Sequence, residues 1–186
     1  KFVSAALIAA ALAATPALSQ ESATLKKIKD TGTITLGHRE SSIPFSYYND
    51  QQQVIGYSQE LMMKVVDAIK SDLKLAKLDT KLMPVTSANR ITLVQNGTVD
   101  IECGSTTNTV ARQKQVAFSN TFYIADVRIM VRKDKSIRSL GDLNGRRVVT
   151  TLGTTADRLI KQQAFARNLS IDYVIGRNYA ESMALM

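Results

Sequence analysis

The chain has 186 residues, with 24 lysines and arginines against 16 aspartates and glutamates, a formal charge of +8. Its one cysteine rules out a disulfide within the chain, and with a single histidine beside it there is no zinc site of the usual composition. The basic residues at Lys26-Lys27-Lys29, Arg132-Lys133-Lys135 and Arg146-Arg147 lie among acidic and apolar neighbours without an aromatic RNA-binding pattern, so no nucleic-acid partner is expected, while a cationic field favours the arrival of acidic ligands.

Residues 1–19 read as a secretory signal peptide lacking its initiator Met. Lys1 is the basic end, residues 2–14 the apolar stretch, and Ala17 and Ser19 the small residues of a cleavage region, with cleavage expected after Ser19. A membrane span needs roughly 20 apolar residues, and this run stops at Thr15-Pro16. No later stretch is long and apolar enough to cross a bilayer. The expected destination is the periplasm. What remains, residues 20–186, has a size that suits one domain or one domain and part of another.

Leu25 and Ile28 on a charged background predict a short helix ending near Gly32, followed by an alternating strand over residues 33–37. Leu61, Val65, Val66 and Ile69 recur at helical spacing, which predicts an amphipathic helix over residues 58–73 capped by Ser58. Residues 81–85 form the next expected strand. Ser87 is expected to cap a helix running through Leu93 and stopping near Gly97, and residues 99–102 to form another strand. Gly104-Ser105-Thr106-Thr107-Asn108 is then a polar turn that can cap a helix beginning near Val110. The free N–H groups of that helix start, the hydroxyls of Ser105 and Thr107, and the fork of Arg112 can converge on one carboxylate. Strands alternating with helices imply parallel pairing in an open α/β sheet, whose ligands bind beyond the carboxyl ends of the strands. Arg39, Ser87, Arg90, Ser105 and Arg112 all fall there.

After Phe118 the pattern changes. Residues 124–131 are extended and lead into a charged stretch over residues 132–138, after which a new unit starts. It comprises a helix near Leu140, a strand over 147–151, a turn over 152–155, a helix over 156–166, a strand over 171–174 and a further helix after Asn178. Gly141 to Gly145 is a turn with no Gly-Lys-Ser/Thr ending, so no phosphate loop is present. Cys103 is either a small buried hydrophobe at a strand end or the partner of a cysteine outside this sequence. His38 is expected to be structural or adjacent to a ligand rather than metal-bound.

Several separated motifs in order carry a resemblance. Asn96-Gly97-Thr98-Val99-Asp100-Ile101 ahead of the hydroxyls, Arg112 behind them, and Val116-Ala117-Phe118-Ser119 closing the run are similar to the amino-acid-binding family of extracytoplasmic solute-binding proteins. The run from Gly37 to Asp50, then Gly56-Tyr57-Ser58 and Thr86-Ser87-Ala88-Asn89-Arg90, resembles that family's glutamate/aspartate-binding components of ABC importers. The resemblance extends from about Leu25 to the last residue. It implies a periplasmic-binding-protein-like two-lobed α/β fold, with residues 20–131 as a nearly complete first lobe and residues 132–186 as the start of a second lobe. A two-lobed protein needs the rest of its second lobe and a return strand to the first, and the 186 residues hold neither, so the second lobe is expected to be truncated.

The resemblance also implies roles. Arg112 would clamp the α-carboxylate, helped by Thr107 and by the hydroxyl and N–H of Thr154, and Ser105 would accept from the α-ammonium. Arg39, Ser87 and Arg90 would hold the side-chain carboxylate with Thr155 nearby. Tyr179 stands where the family usually has a histidine, and a phenol donates only a neutral hydrogen bond at ordinary pH. The acidic partner of the ammonium would come from beyond Met186, so Asp157 is not assigned to it. The expected function is capture of L-glutamate or L-aspartate for a membrane permease, by a protein that is monomeric when complete and needs no cofactor or metal. The alternatives are the ectodomain of a signalling receptor and a dehydratase on the same scaffold. The latter lacks paired carboxylates for acid–base work among the motif positions.

Overall fold

A computed structural model describes residues 22–186; the signal-peptide reading of residues 1–19 lies outside the described residues. The first helix, α1 (Ala23–Thr31), ends where Gly32 adopts φ 61°, a left-handed cap that glycine adopts without strain, and its N–H closes on the carbonyl of Ile28. The chain turns directly into β1 (Thr33–His38). Three short strands follow, β2 (Ser41–Ser42), β3 (Ser46–Tyr48) and β4 (Val54–Ile55), paired antiparallel in the order β2-β3-β4. Sequence reasoning missed this small sheet, because two- and three-residue strands are too short to show alternation.

Helix α2 (Tyr57–Asp72) begins after Gly56 rather than with Ser58 as its cap. Ser58 is inside the first turn, and its hydroxyl donates to the carbonyl of Gly104 at 2.9 Å, tying the helix start to the turn after β6 (Ile101–Glu102). Strand β5 (Asp79–Pro84) and β6 flank β1 in the order β5-β1-β6, with all pairs parallel. The middle strand is buried from Ile34 through His38, the expected pattern for a parallel strand covered on both faces. The core consists of Ile28 from α1, Ile34 and Leu36 from β1, and Met62 and Val66 from α2, all at most 4% exposed. Burying each such side chain stabilises by about 1.5–3 kcal/mol. Val65, expected on the same face, is 45% exposed; Met62 takes its place.

Helix α3 (Arg90–Gln95) starts after Asn89, not after Ser87. Thr86 and Asn89 exchange backbone-to-side-chain bonds at 2.8 and 3.2 Å and shape the turn themselves. Helix α4 (Val110–Gln113) follows the polar turn and is capped by Thr109. Residues 117–131 then run without a helix or strand. Phe122 and Tyr123 within them pack on Tyr57 and Phe45 through tilted and edge-to-face ring contacts. A 3-10 turn at Gly141–Leu143 replaces the helix expected near Leu140. Strands β7 (Arg147–Thr151) and β8 (Asp172–Gly176) pair parallel, with helix α5 (Thr155–Ala166) between them and α6 (Tyr179–Ala184) after them. Among the described residues no helix is long and apolar enough to cross a membrane.

Candidate functional site

Residues that follow the carboxyl ends of β1, β5 and β6 meet residues that follow those of β7 and β8, and the sequence-predicted residues lie on the loops, helix starts and, for Arg112, the short helix α4 at these ends. Arg39 directly follows β1 and is 1% exposed; Arg90 opens α3 and is 2% exposed. Neither arginine has a hydrogen-bond partner for Nε or Nη1 among the described residues, and the buried hydroxyl of Ser87 is equally unpartnered. Glu102 Oε1 lies 3.8 Å from Arg90 Nη1, so one carboxylate faces two buried guanidiniums and one positive charge is left uncompensated, which costs several kcal/mol. The unpartnered guanidinium nitrogens and the free hydroxyl are donors that an anion can satisfy. Ser87 does not cap α3 as expected, and its hydroxyl remains available.

Arg39 is fixed from several sides. Its backbone N–H donates to Ser46 Oγ at 2.9 Å, its guanidinium lies 5.3 Å from the Tyr179 ring centroid, and its stem runs against Gly104. A Cβ at Gly104 would stand 2.6 Å from Arg39 Cγ, so the close approach requires glycine. Beneath it, His38 Nδ1 lies 3.1 Å from the Arg39 carbonyl, and since a carbonyl only accepts, that nitrogen carries the proton. His38 also meets Tyr48 edge to face, which gives it a supporting position under the site.

Arg112 bridges the two sheets. Its Nη1 donates to the carbonyl of Thr107 at 2.9 Å and its Nη2 to the carbonyl of Gly153 at 3.1 Å. Gly153 has φ +77°, and a Cβ there would stand 2.6 Å from Ala88 Cα, so the turn before α5 sits directly on the Thr86–Asn89 turn. Two further contacts cross the same cleft: Thr107 Oγ1 to Thr155 Oγ1 at 3.3 Å and Ser105 Oγ to Tyr179 Oη at 3.3 Å. The N–H of Ala180 reaches Ser41 Oγ at 3.3 Å.

Thr154 departs from its expected role. Its hydroxyl donates to the Thr151 carbonyl at 2.8 Å and accepts from the Asp157 N–H at 3.0 Å, and its own N–H points to the Thr151 carbonyl at 3.3 Å. A hydroxyl has one proton, so Thr154 is the N-cap of α5 rather than a free donor to a carboxylate. Asp157 is also engaged, by Thr150 Oγ1 at 2.7 Å and Lys161 Nζ at 2.7 Å.

Burial pulls the Arg90 guanidinium down to about 10, with Arg39 and Arg112 adding to the fall and Glu102 opposing it. Burial lowers Arg112 too, again against Glu102. Glu102 was not singled out in the sequence, although an acid at a strand end just before the polar turn is the one signal that could have found it. The site opens into a cleft of about 740 Å³ whose lining includes Arg90, Ser105, Thr107, Thr155 and Tyr179. Among the described residues no group of His, Cys, Asp or Glu is placed to hold a metal. Cys103 packs against the core, and burial pushes its thiol up to about 11.

Residues 34–178 match the family of bacterial extracellular solute-binding proteins, family 3. The chain is 46% identical over 185 residues to the L-glutamate/L-aspartate-binding protein of Pseudomonas aeruginosa, covering 99% of this chain and 61% of that protein. It is 45% identical over 159 residues to the glutamate/aspartate import solute-binding protein of Salmonella typhimurium, covering 86% and 53% respectively. It therefore spans between 53% and 61% of the length of these two relatives. Among solved structures, an ancestral amino acid-binding protein described as a precursor of cyclohexadienyl dehydratase superposes with a TM-score of 0.74 at 28% identity, over 87% of this chain and 68% of that one.

Proposed function

Since the chain belongs to the family 3 bacterial extracellular solute-binding proteins, we propose that the protein captures L-glutamate or L-aspartate in the periplasm and delivers it to the membrane permease of an ABC importer. The observation that carries this reading is the buried pair Arg39 and Arg90, with four unpartnered guanidinium nitrogens beside the unpartnered hydroxyl of Ser87. A side-chain carboxylate supplies the acceptors these donors lack, and a neutral amide supplies only part of them. Arg112, at the seam between the sheets, meets the α-carboxylate, while Ser105 and Tyr179 line the space between. Thr107 and Thr155 close the rim. Residues 20–131 and 132–186 act as two lobes that approach each other around the ligand, and the protein binds rather than transforms it. Export by a cleaved signal and a monomeric state of the complete protein belong to the same reading.

Replacing glutamate by glutamine would leave one of the two buried guanidinium charges uncompensated, Glu102 balancing the other, at a cost on the order of 3–5 kcal/mol. That corresponds to at least ~100-fold discrimination. Calorimetric titration of the full-length protein with glutamate, aspartate, glutamine, asparagine and arginine tests it. Binding of glutamate and aspartate with little response to the others is expected; equal affinity for glutamine and glutamate overturns the reading.

A further inference from the structure

We infer that Glu102 is a specificity-determining residue: its buried carboxylate sets the charge of the Arg39 and Arg90 subsite so that the subsite receives a headgroup carrying one negative charge. The inference rests on the acidic-ligand reading above and goes on to ask which acidic headgroups are accepted. Glu102 ends β6, and its side chain is 7% exposed. Its Oε1 lies 3.8 Å from Arg90 Nη1, within ion-pair distance but beyond a direct hydrogen bond, and has no donor among the described residues. Its Oε2 is held by Thr106 Oγ1 at 2.5 Å. The carboxylate is thus anchored on one oxygen and turned toward the arginine with the other.

The backbone makes room for this arrangement. A Cβ at Gly104 would stand 3.0 Å from Glu102 Oε1 as well as 2.6 Å from Arg39 Cγ, and one at Gly37 would stand 3.3 Å from Glu102 Cγ. Glu102 and Arg39 therefore flank the same glycine, with Arg90 opposite the carboxylate. Two guanidiniums and one carboxylate leave a net charge of +1. A bound carboxylate brings this subsite to neutrality, while a dianion would leave an excess negative charge in a place largely removed from water, which is costly. If Glu102 merely held the turn through Thr106, its neutral isostere would treat all headgroups alike.

The test uses the sulfonate and phosphonate analogues of glutamate. Their headgroups share a tetrahedral shape but carry one and two negative charges above the second ionisation of the phosphonate. Binding of both, and of glutamate, is measured by calorimetry on the full-length protein and on its Glu102→Gln and Glu102→Asp variants. The wild type is expected to prefer the sulfonate. Glu102→Gln should shift the ratio toward the phosphonate by about tenfold or more, the scale for one charge removed several ångström away in a partly dry site. Glu102→Asp, which keeps the charge, should keep the wild-type preference. A wild type that prefers the phosphonate, or a Glu102→Gln variant with an unchanged ratio, overturns the inference while leaving glutamate binding intact. A wild type that binds none of the three overturns the acidic-ligand reading and this inference together.

Discussion

At the scale of single residues, the site divides its donors between those the protein already occupies and those it leaves open. Arg112 has both terminal nitrogens on backbone carbonyls, whereas Arg39 and Arg90 each keep two nitrogens unpartnered. Each terminal nitrogen of Arg112 carries two protons, so one on each remains for the α-carboxylate that all amino acids share: Arg112→Ala should abolish binding of every amino acid and also loosen the seam at Gly153, while Arg90→Ala should weaken acidic ligands more than neutral ones. Titration of both variants against glutamate and glutamine checks this, and an equal loss for all ligands in both would refute the division. Cys103 gives a second expectation. With its thiol raised to about 11 by burial, it should alkylate more slowly than an ordinary thiol near neutral pH, and its rate should keep rising up to about pH 11. The sign for stability follows: the unfolded thiol ionises first, so the native state loses stability as pH climbs from the ordinary thiol value to about 11.

The elements show why a predicted helix start is not always a predicted ligand. Thr154 caps α5 by accepting from Asp157 while donating to Thr151. Thr154→Ala should lower stability by about 1 kcal/mol, the usual cost of a lost N-cap, measurable as a shift in the urea midpoint. Gly153, one residue earlier, combines a positive φ with direct contact to Ala88. Gly153→Ala should push the two turns apart and weaken glutamate binding, with a strain of about 1–3 kcal/mol; calorimetry beside a thermal melt separates the binding loss from a general loss of stability. The periodic elements α2, β1, β5, β7 and α5 were legible in the sequence to within a few residues, because each has enough turns or alternations to display its period. The β2-β3-β4 sheet and the Thr86–Asn89 turn were not, since their geometry comes from a few specific hydrogen bonds rather than from a repeat.

Across the whole molecule, the periplasmic-binding-protein-like α/β fold places two parallel sheets with their carboxyl ends toward one cleft. The two sheets are unequal in cover. β1 is buried along its length between β5 and β6, whereas the β7-β8 pair has no further strand on either edge among the described residues, and Ile175 and Phe165 are exposed. Residues 117–131 make no helix or strand and carry exposed Ile124, Val127 and Met130. Hydrogen exchange should accordingly be slowest in β1, faster in β7 and β8, and fastest through residues 117–131. The same exposed apolar surface should make this 186-residue chain associate as its concentration rises, which light scattering would detect. Uniform protection and a monodisperse chain would contradict both expectations.

The sequence by itself determined the alternation of strands and helices, the parallel pairing that follows from it, and the placement of Arg39, Arg90, Ser105 and Arg112 at strand ends, because periodicity and chain direction are local properties. It could not decide which donors stay free. That Ser87 remains open while Thr154 is occupied, that Arg112 reaches across to Gly153, and that Glu102 faces Arg90 at 3.8 Å depend on groups distant in sequence meeting in space. Their hydrogen bonds and charges are settled only when the sheets are packed, where burial makes each unpaired group costly enough to matter.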